Sequence, residues 1–240
     1  MKLYTLAGLL LLSTAFTASA QSADDVIAKH IQAMGGADKL KNLNALHVKA
    51  KTKVGPGMEA PINMWMVNGK GVYLDLSIQG MTMQQACIGD SGWFINPFGG
   101  KKQAERMNAE MVKSLKEQSD LSGPLFDYKT KGNQVELIGK EDMEGTEVLK
   151  LKVTLKSGDL VYIFLDAQNY LELKETSKQK FQDKEVETET LFSDYRDVSG
   201  LKFAFSREER MKGESSGNTT NLDEIVVNPK VDMAMFNMPK

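Results

Sequence analysis

Two periodicities divide the chain. Between Asp24 and Met34, Val26/Ile27, His30/Ile31 and Met34 recur one helical turn apart, which predicts an amphipathic helix. Ser22 or Asp24 stands where its cap belongs, acidic residues fill its first turn, and Gly35-Gly36 ends it. Ala37 to Asn42 reads as a further short helical turn. From Ala45 the period drops to two. Leu46, Val48, Ala50, Thr52 and Val54 alternate with His47, Lys49, Lys51 and Lys53, the pattern of a half-buried antiparallel strand with a basic outer side. After the Gly55-Pro56-Gly57 turn, Ile62-Met64-Met66 and Val72-Leu74-Leu76-Ile78 continue the alternation on either side of the hairpin signal Asn68-Gly69. Met81, Met83 and Ile88, then Trp93-Phe94-Ile95-Asn96, extend the meander. Residues Gln103 to Glu117 interrupt it with a helical pattern. Strand patterns then return at Val135-Leu137, Leu149 to Leu155, Val161 to Leu165, Leu171-Leu173, Val186 to Phe192, Leu201 to Phe205 and Leu222 to Val227. Their turns fall at Glu144-Gly145, Ser157-Gly158, Ala167-Gln168-Asn169, Gln182-Asp183, Ser199-Gly200 and Lys212-Gly213-Glu214. Turn signals about every 8–12 residues predict one large curved antiparallel sheet or barrel of about eleven strands in a single domain, 21–240.

The segment before that domain has a different character. Lys2 supplies a positive start, Leu3 to Phe16 an apolar run, and Ala18-Ser19-Ala20 a small-residue cleavage site, so residues 1–20 read as a cleavable secretory signal peptide. The apolar run is shorter than the ~20 residues that cross a bilayer as a helix. The mature chain, Gln21 to Lys240, is expected to be soluble and exported.

Composition narrows the chemistry. Thirty Lys+Arg against 32 Asp+Glu give a charge of −2, which argues against nucleic acid as a partner. The single cysteine, Cys87 in an apolar context, reads as a packed hydrophobe. Two histidines, His30 and His47, with no carboxylate beside either at ligand spacing, supply neither a metal cage nor a catalytic triad. Gly89-Asp90-Ser91-Gly92 is accordingly a hairpin turn rather than a nucleophile loop. No enzyme, metal or cofactor is expected.

The compositional oddity is methionine, 14 in 240 residues. Met64/Met66 and Met81/Met83 each project from one strand face. Three readings stay open: ordinary core, a soft-metal site, and an adaptable cavity for varied apolar ligands. The helical pattern at Gln103–Glu117 bears on the third. Its apolar side, Ala104, Met107, Met111, Val112 and Leu115, reads either as a lid on the sheet's concave side or as permanent core, with Gly99-Gly100 and Ser122-Gly123-Pro124 as joints.

Several runs in order along the chain carry a family likeness. These are Ala33-Met34-Gly35-Gly36-Ala37-Asp38-Lys39-Leu40; Ile138-Gly139-Lys140-Glu141-Asp142-Met143-Glu144-Gly145, leading into Leu149-Lys150-Leu151-Lys152-Val153; Leu165-Asp166-Ala167-Gln168-Asn169-Tyr170-Leu171; Asp194-Tyr195-Arg196-Asp197-Val198-Ser199-Gly200-Leu201-Lys202-Phe203; and Val226-Val227-Asn228-Pro229 with the ending Met235-Phe236-Asn237-Met238-Pro239. Together they resemble the outer-membrane lipoprotein-sorting protein family, with the LolA/LolB-like fold. The resemblance implies an incomplete antiparallel barrel with covering helices and an apolar cavity for acyl chains. The carrier's lipid-gating arginine falls where this chain has Lys49, Lys51 and Lys53, a departure from the pattern. The expectation is a monomeric periplasmic carrier of lipid or lipoprotein acyl chains, exchanging cargo with inner-membrane donor and outer-membrane acceptor proteins and touching the membrane surface transiently. Its expected cavity is lined by Met64, Met66, Leu74, Leu76, Met81, Met83, Trp93 and Phe94, with Met107, Met111 and Leu115 on the lid. The alternative is an envelope sensor or protein-interaction module whose cavity its own side chains fill.

Overall fold

The computed structural model describes residues 21–181 and 184–239; the expected signal peptide and the expected turn at Gln182-Asp183 lie outside the described residues. Helix α1 (Ala23–Ala33) begins as its sequence predicts. The Ser22 hydroxyl accepts from the Asp25 amide at 3.1 Å while the Asp25 carboxylate accepts from the Ser22 amide, a closed capping box. A short α2 (Ala37–Lys41) follows. Then β1 (Ala45–Gly55), β2 (Met58–Val67), β3 (Gly71–Ile78), β4 (Met81–Ile88), β5 (Ser91–Asn96) and β6 (Lys101–Arg106) run as an antiparallel meander. Helices α3 (Ala109–Glu117) and α4 (Tyr128–Lys131) lead to a second meander. Its strands are β7 (Gln134–Met143), β8 (Thr146–Thr154), β9 (Leu160–Asp166), β10 (Glu172–Phe181), β11 (Lys184–Val198), β12 (Leu201–Met211) and β13 (Asn218–Val227). Pairing of β1 with β13 joins the two into one thirteen-stranded sheet that stays open between β6 and β7.

The expectation of about eleven strands is thus corrected to thirteen, and the helix expected over 103–117 is corrected as well. Residues 101–106 pair with β5, placing Arg106 opposite Trp93 and Glu105 opposite Phe94. The unpaired edge of β5 offers those residues a ladder, and its hydrogen bonds override a helical pattern resting on few apolar positions. Helix begins only after Asn108, whose side-chain oxygen accepts from the Met111 amide at 2.8 Å. Met107 therefore precedes the helix.

The helices cover one face of the sheet, the inner face. Val26 and Ile27 of α1 and Leu125 of the loop before α4 pack on Leu149, Leu151, Val153, Val161, Ile163 and Leu165. Leu40 and Leu43 with Phe126 pack on Leu46, Val48, Ala50, Leu201, Phe205 and Ile225. The alternation read in β1 holds through Ala50, with Leu46, Val48 and Ala50 buried and the lysines outside, but Val54 near its end is exposed. Lys49 pairs with Glu224 at 2.7 Å and Lys51 with Asp223 at 3.5 Å across β13, so neither reaches the inner face.

Candidate functional site

Pairing register decides which expected cavity residues meet. Met64 stands opposite Leu74, Leu76 opposite Met83, Met81 opposite Ile78 and Phe94 opposite Gln85. Directly paired residues share a face, and that face also holds Val72 and Cys87 under α3. Met64, Met66, Leu74, Leu76, Met81, Met83 and Phe94 therefore lie together on the inner face of β2–β5. None of the seven is fully buried, and Met81 is 43% exposed. The seven form one partly exposed apolar strip, the trough of the inner face between β2 and β5.

Trp93 is a correction. As the strand neighbour of Phe94 it points to the opposite face. There it packs with Ala86 and Phe236, and its indole Nε1 donates to the Phe236 carbonyl at 2.9 Å. It is a latch for the C-terminal segment and lies outside the trough.

Helix α3 closes one end of the trough. Val112 and Leu115 are buried on Val72 and Cys87, with Met64, Met66 and Met107 packed around them, while Met111 remains 37% exposed. The rest of its attachment is polar. Lys116 pairs with Asp90 in the β4–β5 turn at 2.8 Å, and Lys113 with Asp159 before β9 at 2.7 Å. Exposed ion pairs of this kind hold weakly, by ~0–1 kcal/mol each. Helix α3 is thus held on the sheet by two buried side chains and two exposed ion pairs. Cys87 lies beneath it, and burial pushes its thiol pKa up, as expected of an inert packed cysteine.

A second concavity was not read from the sequence. Between α1, α2, the 121–126 loop and strands β9, β10 and β12 lies a cavity of about 140 Å³. Its walls include Ile31, Met34, Leu40, Leu43, Phe126 and Phe203, with His30 and Glu172 among them. The Glu172 Oε1 is buried without a hydrogen-bond partner. Burial raises its carboxyl well above the usual range, the neighbouring Glu175 adds to the rise, and Arg207 offsets it in part. His30 Nδ1 donates to the Tyr170 carbonyl at 2.8 Å, and burial lowers the imidazole pKa. The sequence signal was a single glutamate in the apolar strand start Leu171-Glu172-Leu173, which names no partner. Among the described residues, no three His, Cys, Asp or Glu side chains gather in a metal-binding group.

An open antiparallel barrel with helices over its inner face and an apolar trough inside is the LolA-like architecture. A LolA superfamily protein from Nitrosomonas europaea superposes with a TM-score of 0.57 at 11% identity, over 91% of this chain and 98% of that one. A DUF1329 family protein from Desulfovibrio piger gives 0.61 at 14% identity over 91% and 98%. A domain from Vibrio parahaemolyticus described as an outer-membrane lipoprotein-sorting protein gives 0.56 at 15% identity over 84% and 94%. No protein-family model and no curated protein matches the chain. At these identities the likeness establishes the fold, the one that the sequence resemblance implied.

Proposed function

We propose that this protein is a non-enzymatic periplasmic carrier that holds the acyl chains of a lipid or lipoprotein in the trough of β2–β5, for transfer toward the outer membrane. The observation that carries the reading is the incomplete burial of that strip: seven apolar side chains share one inner face, none of them fully buried, and α3 covers part of it. Each methylene moved from water into such a surface contributes ~0.8 kcal/mol, so partial enclosure of one chain yields useful affinity. Methionine side chains suit this task because they re-pack around chains of differing shape. The sensor alternative requires an inner face filled by the protein itself. On the β2–β5 side the seven side chains stay partly exposed, which favours a ligand over such self-filling.

The test is native mass spectrometry of protein purified from a Gram-negative periplasm without detergent. Bound lipid or acylated protein is expected, and it should disappear in a Leu76→Asp/Met83→Asp double variant that keeps its circular dichroism. These two positions face each other across β3 and β4 and are half-buried, so the charges enter the trough without opening the core. An apo mass that takes up no fatty-acid probe overturns the carrier reading.

A further inference from the structure

The inner face changes character along the sheet. Met83, Leu76, Ile62, Ala50 and Leu222 form one row across β4, β3, β2, β1 and β13, each directly opposite the next. Two residues further along the same strands, and so on the same face, the next row reads Thr52, Thr220, Arg207 and Phe192. The row beyond it carries Glu209, Thr190 and Glu175. The apolar strip is thus continued by a polar one on the inner face of β10 to β13.

Charge in that polar strip is arranged around Arg207. Its Nη2 donates to Glu209 Oε2 at 3.3 Å, and its guanidinium lies 5.9 Å from the Phe192 ring. The two side chains of the pair are 51% and 55% exposed, so both are reachable and hold each other weakly, by ~0–1 kcal/mol. Both act electrostatically on the half-buried Glu175. Arg196, the other arginine on this face, is closed on Asp194 and stacked over Phe205. Lys174, Lys178, Lys202 and Arg210 point to the opposite face, toward Glu189, Glu187 and Asp197.

We propose that the polar strip seats the headgroup of a phospholipid that carries a phosphate and a primary ammonium, with Arg207 on the phosphate, Glu209 and Glu175 on the ammonium, and the acyl chains in the trough. This rests on the trough reading and names its substrate class. A guanidinium presents a fork of donors that fits phosphate oxygens, and a carboxylate accepts from an ammonium. Glu175 can accept whether or not it holds a proton. One cation beside two carboxyls complements a head bearing both charges, whereas a purely anionic head would set its charge against Glu209. A quaternary ammonium has no N–H to donate. The dimensions agree. From β4 to β12, five strand spacings of ~4.8 Å make ~24 Å. The chains of one leaflet occupy ~15 Å of a ~30 Å bilayer core, so chains and head fit side by side.

The test mixes purified protein with vesicles of dioleoylphosphatidylcholine that contain equal minor fractions of dioleoylphosphatidylethanolamine, dioleoylphosphatidylglycerol and dioleoylglycerol. The protein is then re-isolated and its lipids are counted by mass spectrometry. All four lipids share their chains, so only the head differs. Phosphatidylethanolamine should be enriched about fivefold over phosphatidylglycerol, the size of one exposed ion pair. Glu209→Gln should abolish that preference, and Arg207→Gln should lower phosphatidylethanolamine against dioleoylglycerol by a similar factor. Both positions are exposed, and circular dichroism checks each fold. A wild type that takes up no lipid of any kind brings down the trough reading and this one with it. Lipids bound in their vesicle proportions, a preference for phosphatidylglycerol, or a preference that neither variant alters overturns this proposal alone and leaves the carrier standing. So does displacement of the bound lipid by an equal concentration of glycerophosphoethanolamine, the head without its chains.

Discussion

Glu172 titrates where its surroundings, not its strand, decide. In the unfolded chain its carboxyl has an ordinary value near 4.5; in the folded protein burial and Glu175 raise it, and Glu175 is itself raised by burial. A raised acid contributes stability in full below the unfolded value and loses it as pH rises through the folded one. His30 acts oppositely. Its depressed folded value means that acidification below about 6.5 protonates the unfolded chain first and destabilises the protein. The two effects separate by mutation. Glu172→Gln removes the first and keeps the second, so its melting temperature should gain on that of the wild type as pH rises from 4.5 to 8. A constant difference across that range would refute the assignment. Sequence showed neither group's role, because His30 and Glu172 are 142 positions apart and come to line one cavity only through the docking of α1.

At the scale of elements, the docking of α1 includes one close backbone approach besides its packing on β8 and β9. Gly35 has a φ of +121°, and a Cβ there would overlap the Gly200 carbonyl oxygen of the β11–β12 turn. The Met34 carbonyl accepts from the Lys202 amide at 3.0 Å, and Lys39 Nζ donates to the Gly200 carbonyl at 3.0 Å. Gly35→Ala should therefore cost at least ~1–3 kcal/mol and lower the denaturant midpoint; unchanged stability would mean that the contact is slack. The Gly35-Gly36 pair was legible as a helix stop, but not as a contact with a hairpin far along the chain. The start of α1 was legible because the Ser22–Asp25 box is local. The start of α3 was not, since residues 101–106 follow the edge of β5 rather than their own pattern.

At the scale of the whole molecule, two meanders become one sheet through β1 and β13, and the C-terminal segment returns across the outer face to seal it. Phe236 is 2% exposed against Trp93. Phe236→Ala should cost ~3–5 kcal/mol and shift the tryptophan emission to the red as Trp93 meets water. A blue, unshifted emission would show that the latch does not shield Trp93. Because this seal is on the outer face, the variant is expected to leave lipid capture in the trough intact wherever it remains folded.

Local pattern alone determined much of this protein. Alternation along β2 to β4 assigned six of the trough residues to their face, since side-chain direction in a strand needs only parity. Turn chemistry at Asn68-Gly69, Ser157-Gly158 and Ser199-Gly200 placed the hairpins, because those backbone conformations are chosen within a few residues. Tertiary structure decided what depends on distant partners. It turned Trp93 outward onto Phe236, recruited residues 101–106 to an exposed ladder, and enclosed Glu172 beneath a helix from the other end of the chain. The physical reason is range. Parity and turn geometry act between neighbours, whereas burial and hydrogen-bond satisfaction are settled only when the sheet has assembled.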